Sequence, residues 1–184
     1  MTANKNVKYR ATGVYIMKVE KIYFDMDGVL ADFDGGLREI CHIEPVDQHH
    51  KTEEQDDEMF AAMRKIDHFY AKLNILPEGK RLFDDIYIKY KDKCEILSGI
   101  PKPKRGIENA GEDKKEWIKR LVSEDVVVNI VLRADKKNYC KGKEYILIDD
   151  YVANIKEWEK AGGTGILYKN AADAEEKLAK LGLI

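Results

Sequence analysis

Two acidic pairs hold the side chains in this sequence best suited to chemistry. Asp25-Met26-Asp27-Gly28 follows directly on the apolar run Ile22-Tyr23-Phe24, and Asp149-Asp150 closes the run Tyr145–Ile148 in the same way. Ligands of open α/β sheets bind outside the carboxyl ends of the strands, and both pairs fall at such ends. A lone Asp-Gly reads as a turn; a second pair of acids closing a second buried strand does not fit that reading. If the two strand ends share a rim, four carboxylates converge. At about 4 Å each like-charged pair repels by roughly 4 kcal/mol at an effective dielectric near 20. Buried carboxylates without partners are costly, and a hard divalent cation bound through oxygen is the natural relief, with Mg2+ the expected ion. One such cation and one lysine against four aspartates would still leave a single negative charge.

Five short apolar runs predict the strands that position these acids: Val19–Asp25, Cys94–Ser98, Val126–Leu132, Tyr145–Asp149 and Gly165–Tyr168. The middle runs are continuous rather than alternating, as in parallel strands covered on both faces. Helical spacing separates most of them. Asp113–Ser123 places Trp117 and Leu121, and Ile118 and Val122, four apart; Asn154–Ala161 stops at Gly162-Gly163; Ala171–Leu181 follows the last strand. This alternation predicts an α/β fold, a doubly wound, Rossmann-like parallel sheet of about five strands. The stretch between Leu132 and Tyr145 has no helical period and is close to the shortest that can cross between parallel strands.

Residues 36–78 are polar, acidic and helix-prone and predict a small helical cap inserted after the first strand, with a helix over Lys80–Tyr90 leading back. The core is then 17–35 with 79–184, and residues 1–16 are an N-terminal extension ahead of Met17. The acidic run Glu53–Glu58 reads as a solvated helix face. The basic cluster Lys102–Arg105 reads as a solvated loop over the site entrance.

Over 184 residues, 32 Lys and Arg against 34 Asp and Glu give a net charge of −2. No overall field therefore draws the chain to a nucleic acid polymer or a membrane surface, and no run approaches the ~18 apolar residues of a spanning helix. Cys41, Cys94 and Cys140 are widely spaced with no C-x-x-C. They predict reduced thiols in a cytoplasmic protein rather than a disulfide or zinc scaffold. His42, His49, His50 and His68 lack zinc-like spacing and read as structural or surface residues.

The two acidic pairs, Ser98 at the end of the second strand, and a lysine before the second pair resemble the four motifs of the haloacid dehalogenase (HAD) superfamily of phosphotransferases. Within it the 5′(3′)-deoxyribonucleotidase branch is the most similar. That likeness rests on DMDGVLADF at 25–33, VLRADKK at 131–137 ahead of ILIDD at 146–150, and Trp158 followed by Gly162-Gly163-x-Gly165-Ile166-Leu167. It covers residues 19–170 and is poor across the cap.

The resemblance implies a Mg2+-dependent phosphomonoesterase acting on (deoxy)nucleoside monophosphates through an aspartyl-phosphate. Position by position, it makes Asp25 the nucleophile and Asp27 the general acid and then the general base. Ser98 and the amide of Gly99 would donate to a phosphate oxygen. The metal would be held by the Asp25 side chain, the Asp27 carbonyl and Asp149, with Asp150 orienting that set from outside. Lys136 is the expected cation beside the nucleophile and the transferring phosphoryl. Lys143, nearer to Asp149 in sequence, is its rival, and Lys114 corresponds to a branch lysine that reaches the phosphate. Phe69 and Tyr70 are candidates to stack on a nucleobase or, equally, to pack cap on core; Phe33 and Asp34 are candidates to line the pocket.

The branch often carries Thr-Ser where this chain has Ser98-Gly99, which removes one side-chain contact to phosphate. Two other readings compete: the same chemistry on a sugar phosphate or other small phosphomonoester, and a phospho-accepting receiver module. The Asp-x-Asp spacing and the cap insertion oppose the receiver. The partner implied is a small phosphate ester; the preferred base, 5′ against 3′ phosphate, and monomer against homodimer stay open.

Overall fold

The computed structural model describes residues 17–48 and 50–184; the expected extension 1–16 and His49 lie outside the described residues. Strands β1 (Lys21–Phe24), β2 (Cys94–Ile100), β3 (Val127–Leu132), β4 (Tyr145–Asp149) and β5 (Thr164–Leu167) pair in the order β3-β2-β1-β4-β5, every pair parallel. Alternation sorts the side chains onto two faces. Ile22, Phe24, Ile96, Ile146, Ile148 and Ile166 enter the larger core, while Tyr23, Leu97 and Leu147 enter a smaller one. Because both faces are covered, the central strands read as unbroken apolar runs.

The helices are α1 (Phe33–Glu39), α2 (Glu53–Met63), α3 (Pro77–Tyr90), α4 (Ala110–Leu121), α5 (Val152–Lys160) and α6 (Ala171–Lys180). The larger core takes Leu82, Phe83 and Ile86 from α3, Trp117 and Ile118 from α4, and Leu178 from α6. The smaller takes Ile155 and Trp158 from α5. Helix α3 starts three residues before the expected Lys80 because Pro77 occupies its first turn, where a missing N–H costs nothing. At Gly79 a Cβ would lie 1.7 Å from the carbonyl oxygen of Val29, so only glycine lets α3 rest against the loop that follows β1.

Three expectations are corrected. The run at 126–132 is not buried throughout: β3 is an edge strand, leaving Val127 54% and Leu132 38% exposed. A continuous apolar run does not distinguish a central strand from an edge strand. The featureless stretch after Leu132 is a 3-10 turn, Arg133–Tyr139. Finally, the acidic run and the basic cluster are not both solvated. Arg105 pairs with Asp56 and Asp57 of α2, its guanidinium lies 4.8 Å from the centre of the Phe60 ring, and Arg64 donates to the Arg105 carbonyl at 3.0 Å.

Residues 36–78 contain the last residues of α1, then α2 and a 3-10 turn at Tyr70–Lys72. Leu37, Met63, Phe69, Tyr70 and Leu73 join the same core as β1, and the Trp117 indole donates to the Leu73 carbonyl at 2.7 Å. The three cysteines are free thiols, and burial pushes Cys94 up to about 12. No helix among the described residues is long and apolar enough to cross a membrane.

Candidate active site

β1 and β4 are neighbours at the point where the strand order reverses, and Phe24 is level with Ile148. The register therefore carries Asp25 to the side of Asp149, with the Asp25 amide donating to the Ile148 carbonyl at 2.9 Å. Asp25 is 6% exposed and Asp149 is fully buried. One carboxylate oxygen each from Asp25, Asp149 and Asp150 lie within 4.8 Å of one another. Lys136, on the 3-10 turn after β3, places its ammonium 2.8 Å from Asp25 Oδ1 and 2.7 Å from Asp149 Oδ2. Burial works against the charge on Lys136, but Asp25 and Asp149 outweigh it and raise the lysine well above its ordinary value.

A second buried lysine reaches the site from α4. Lys114 is fully buried and donates to Asp27 Oδ2 at 2.6 Å, Ser98 Oγ at 3.0 Å and the Gly99 carbonyl at 2.8 Å. Its ammonium lies 4.5 Å from the Tyr70 ring centre. Asp27 Oδ1 is buried without a hydrogen-bond partner, and Asp25 Oδ1 has none beyond its charge contact with Lys136. Burial pushes the Asp27 carboxyl up; Lys114 pulls against it without cancelling, and Asp25 adds to the rise. Burial and the neighbouring carboxylate both favour the protonated form of this carboxyl.

The loop after β1 folds on itself, with Leu30 and Ala31 amides both donating to the Met26 carbonyl at 2.8 Å. Gly28 sits there at φ +71°, and a Cβ on it would lie 2.1 Å from Asp150 Oδ2. The glycine thus serves both the left-handed turn and the close approach of the second acidic pair. Gly28→Ala should displace Asp150. Its divalent-cation affinity, read by thermal shift against MgCl2, is expected to fall at least about 10-fold while the protein stays folded; unchanged affinity would refute this role.

The two members of the second pair are not equivalent. Asp149 is saturated with donors: Tyr151 N at 2.8 Å and Asn154 Nδ2 at 3.1 Å on Oδ1, Asn154 Nδ2 at 2.9 Å and Lys136 at 2.7 Å on Oδ2. Asp150 accepts from the exposed Gln48 amide at 3.1 Å. Burial, with the carboxylates of Asp25, Asp149 and Asp27 adding, pushes Asp150 up to about 8. The hydrogen bonds leave Asp150 the freer of the two carboxylates, while an oxygen of each lies within 4.8 Å of one on Asp25.

Asp25, Asp27, Ser98, Gly99, Lys114, Lys136, Asp149 and Asp150 come together. Lys143 does not: it is exposed and precedes β4, at the opposite end of the strand from Asp149, roughly 20 Å away at about 3.3 Å per residue. Proximity in sequence misled because an extended strand separates the two. Phe69 and Tyr70 are 1% and 3% exposed and pack with Phe33, whose ring lies 5.8 Å and 6.2 Å from theirs. Phe33 is half-buried and Asp34 exposed. Asn154 and Gln48 carried no motif and were missed, although Asn154 lies one helical turn past Asp150, where a side chain can reach back over the strand end.

With all four carboxylates ionised, the two ammonium groups leave two negative charges in this enclosed centre, which one divalent cation would cancel. The oxygen-only donor set suits a hard ion, and one oxygen each of Asp25, Asp149 and Asp150 lies close enough to the others to share it. The residues present fit such a cation.

No family model and no curated protein matches the sequence. Solved structures do match the fold. A HAD-superfamily hydrolase from Ehrlichia chaffeensis superposes with a TM-score of 0.54 at 13% identity, over 90% of this chain and 98% of that one. A HAD-family hydrolase from Deinococcus radiodurans R1, solved with bound phosphate and sodium, superposes with a TM-score of 0.53 at 13% identity, over 91% and 98%.

Proposed function

We propose that this chain, which has the fold of the HAD-superfamily hydrolases, is a divalent-metal-dependent phosphatase of small phosphomonoesters. The observation that carries the reading is the arrangement around Asp25. A carboxylate at a strand end has the Lys136 ammonium 2.8 Å from its Oδ1 and a second aspartate, Asp27, two residues away and gripped by another lysine.

Asp25 would attack phosphorus, forming a P–O bond as the bond to the leaving oxygen breaks. Asp27 would give its proton to that oxygen, releasing the alcohol, and then take one from the water that hydrolyses the aspartyl-phosphate. Lys136 sets its positive charge beside the nucleophile and holds Asp149 next to it. Ser98, which accepts from Lys114, has its own O–H left to donate to a phosphate oxygen. Asp25 and Asp150, with the Asp27 carbonyl and Asp149 close by, would hold the cation, expected to be Mg2+. When bound, that ion screens the carboxylates and withdraws charge from the phosphoryl oxygens.

Within this reading residues 36–78 cap the core formed by 17–35 and 79–184. A deoxynucleoside monophosphate is the proposed substrate, supported by the runs DMDGVLADF and VLRADKK around the catalytic positions. Base stacking falls to Phe33 rather than to the buried Phe69 and Tyr70. Purified protein should release phosphate from dUMP or dTMP with MgCl2 and stop with EDTA. A panel in which sugar phosphates are cleaved and no nucleotide is would remove the nucleotide assignment and keep the chemistry; no release from any ester would remove both.

A further inference from the structure

We infer that Lys114 is a positioning residue that fixes the proton of Asp27 on a single oxygen, Oδ1, and does not itself contact the phosphate; the inference rests on the phosphatase reading above. An ammonium has three N–H donors and no acceptor. All three of Lys114 are used, on Asp27 Oδ2, Ser98 Oγ and the Gly99 carbonyl, so none remains for a substrate oxygen. The lysine is fully buried and its ammonium faces the Tyr70 ring, so no solvent competes for those hydrogens.

This arrangement has a directional consequence. Asp27 Oδ2 faces a group that only donates, and the carbonyl oxygen of a protonated carboxyl accepts from an ammonium far better than its hydroxyl oxygen does. A protonated Asp27 therefore carries its hydrogen on Oδ1, the buried oxygen with no partner. The same ammonium occupies an acceptor site of Ser98 Oγ and leaves the serine hydrogen to point elsewhere. As Asp25 Oδ bonds to phosphorus and the ester P–O bond breaks, the Oδ1 proton passes to the departing alkoxide, and Asp27 is left as the carboxylate paired with Lys114. Without Lys114 the proton is free to sit on either oxygen, and the acid is misdirected.

The distinguishing readout is the leaving group. p-Nitrophenolate departs without needing a proton, whereas an alkoxide such as that of dUMP needs one. Values of kcat/KM cover only the steps through leaving-group release. Lys114→Met should lower kcat/KM about 100-fold on dUMP and less than about 5-fold on p-nitrophenyl phosphate. Equal losses on both substrates, or no loss on either, would overturn the assignment. The double variant Asp27→Asn, Lys114→Met should be no slower on dUMP than Asp27→Asn alone; a further loss of about 10-fold would show Lys114 acting independently and overturn it too. If methionine at 114 does not fold by near-UV circular dichroism, Lys114→Gln carries the same comparison. Wild-type protein inactive on both esters, or Asp27→Asn without a leaving-group split, defeats the phosphatase reading or its acid rather than the role of Lys114.

Discussion

Asp25→Asn should lower turnover by about 10^4-fold or more and leave no acid-stable phosphoprotein on quenching. An amide in the same volume keeps the packing of the strand end but has no lone pair able to attack phosphorus at a useful rate. Asp27→Asn should cost about 10^2- to 10^4-fold, and with a different signature. With p-nitrophenyl phosphate the phosphoprotein should form and accumulate, because the base that activates water for its hydrolysis is gone. Neither change should unfold the protein, since Asp25→Asn relieves the crowding with Asp149 and Asp150 and Asp27→Asn keeps an oxygen that can accept from Lys114. Asp25→Asn retaining a tenth of wild-type turnover, or showing the phosphoprotein, would move the nucleophile elsewhere.

Metal-free protein should lose stability as pH rises from about 5 to 8 and regain it with MgCl2. Asp150 has its carboxyl pushed up to about 8 by burial and neighbouring carboxylates, against about 3.9 in an unfolded chain. A group raised on folding binds its proton more tightly in the native state, so its contribution is favourable only while it stays protonated. The native state holds more protons than the unfolded state between those two values, and stability falls across that window. A divalent cation must displace the proton at lower pH, so its apparent affinity should weaken about 10-fold per unit below pH 8. At 100 times its dissociation constant the ion adds about 2.7 kcal/mol, or roughly 5–10 °C in Tm for a chain of this size. Asp150→Asn should flatten the pH profile and weaken the magnesium response, while Asp149→Asn should mainly loosen Lys136. A magnesium shift independent of pH, or unchanged in Asp150→Asn, would place the ion elsewhere.

Much of the site was legible because the relevant acids are adjacent in sequence and end apolar strands, a pattern that survives without knowledge of packing. Lys136 stood out through its position before ILIDD, but choosing it over Lys143 required the strand between them: one lysine turns back over the carboxyl end, and the other begins at the amino end. Phe69 and Tyr70 illustrate the opposite limit. Aromatic residues ahead of Leu76-Pro77 suit a substrate wall and a core equally well, and only burial against Phe33 and the Lys114 ammonium separates the two. The pairing of Asp56 and Asp57 with Arg105 was invisible because nearly fifty residues separate the partners.

Local pattern alone determined the parallel α/β architecture and the two acidic strand ends, because periodicity and charge density are properties of short segments. Tertiary structure decided which lysine serves which carboxylate, that Lys114 is spent on Asp27, Ser98 and Gly99, and that Asp149 is saturated where Asp150 is not. Those outcomes depend on distances of about 3 Å between groups from different strands and helices, which sequence spacing cannot encode.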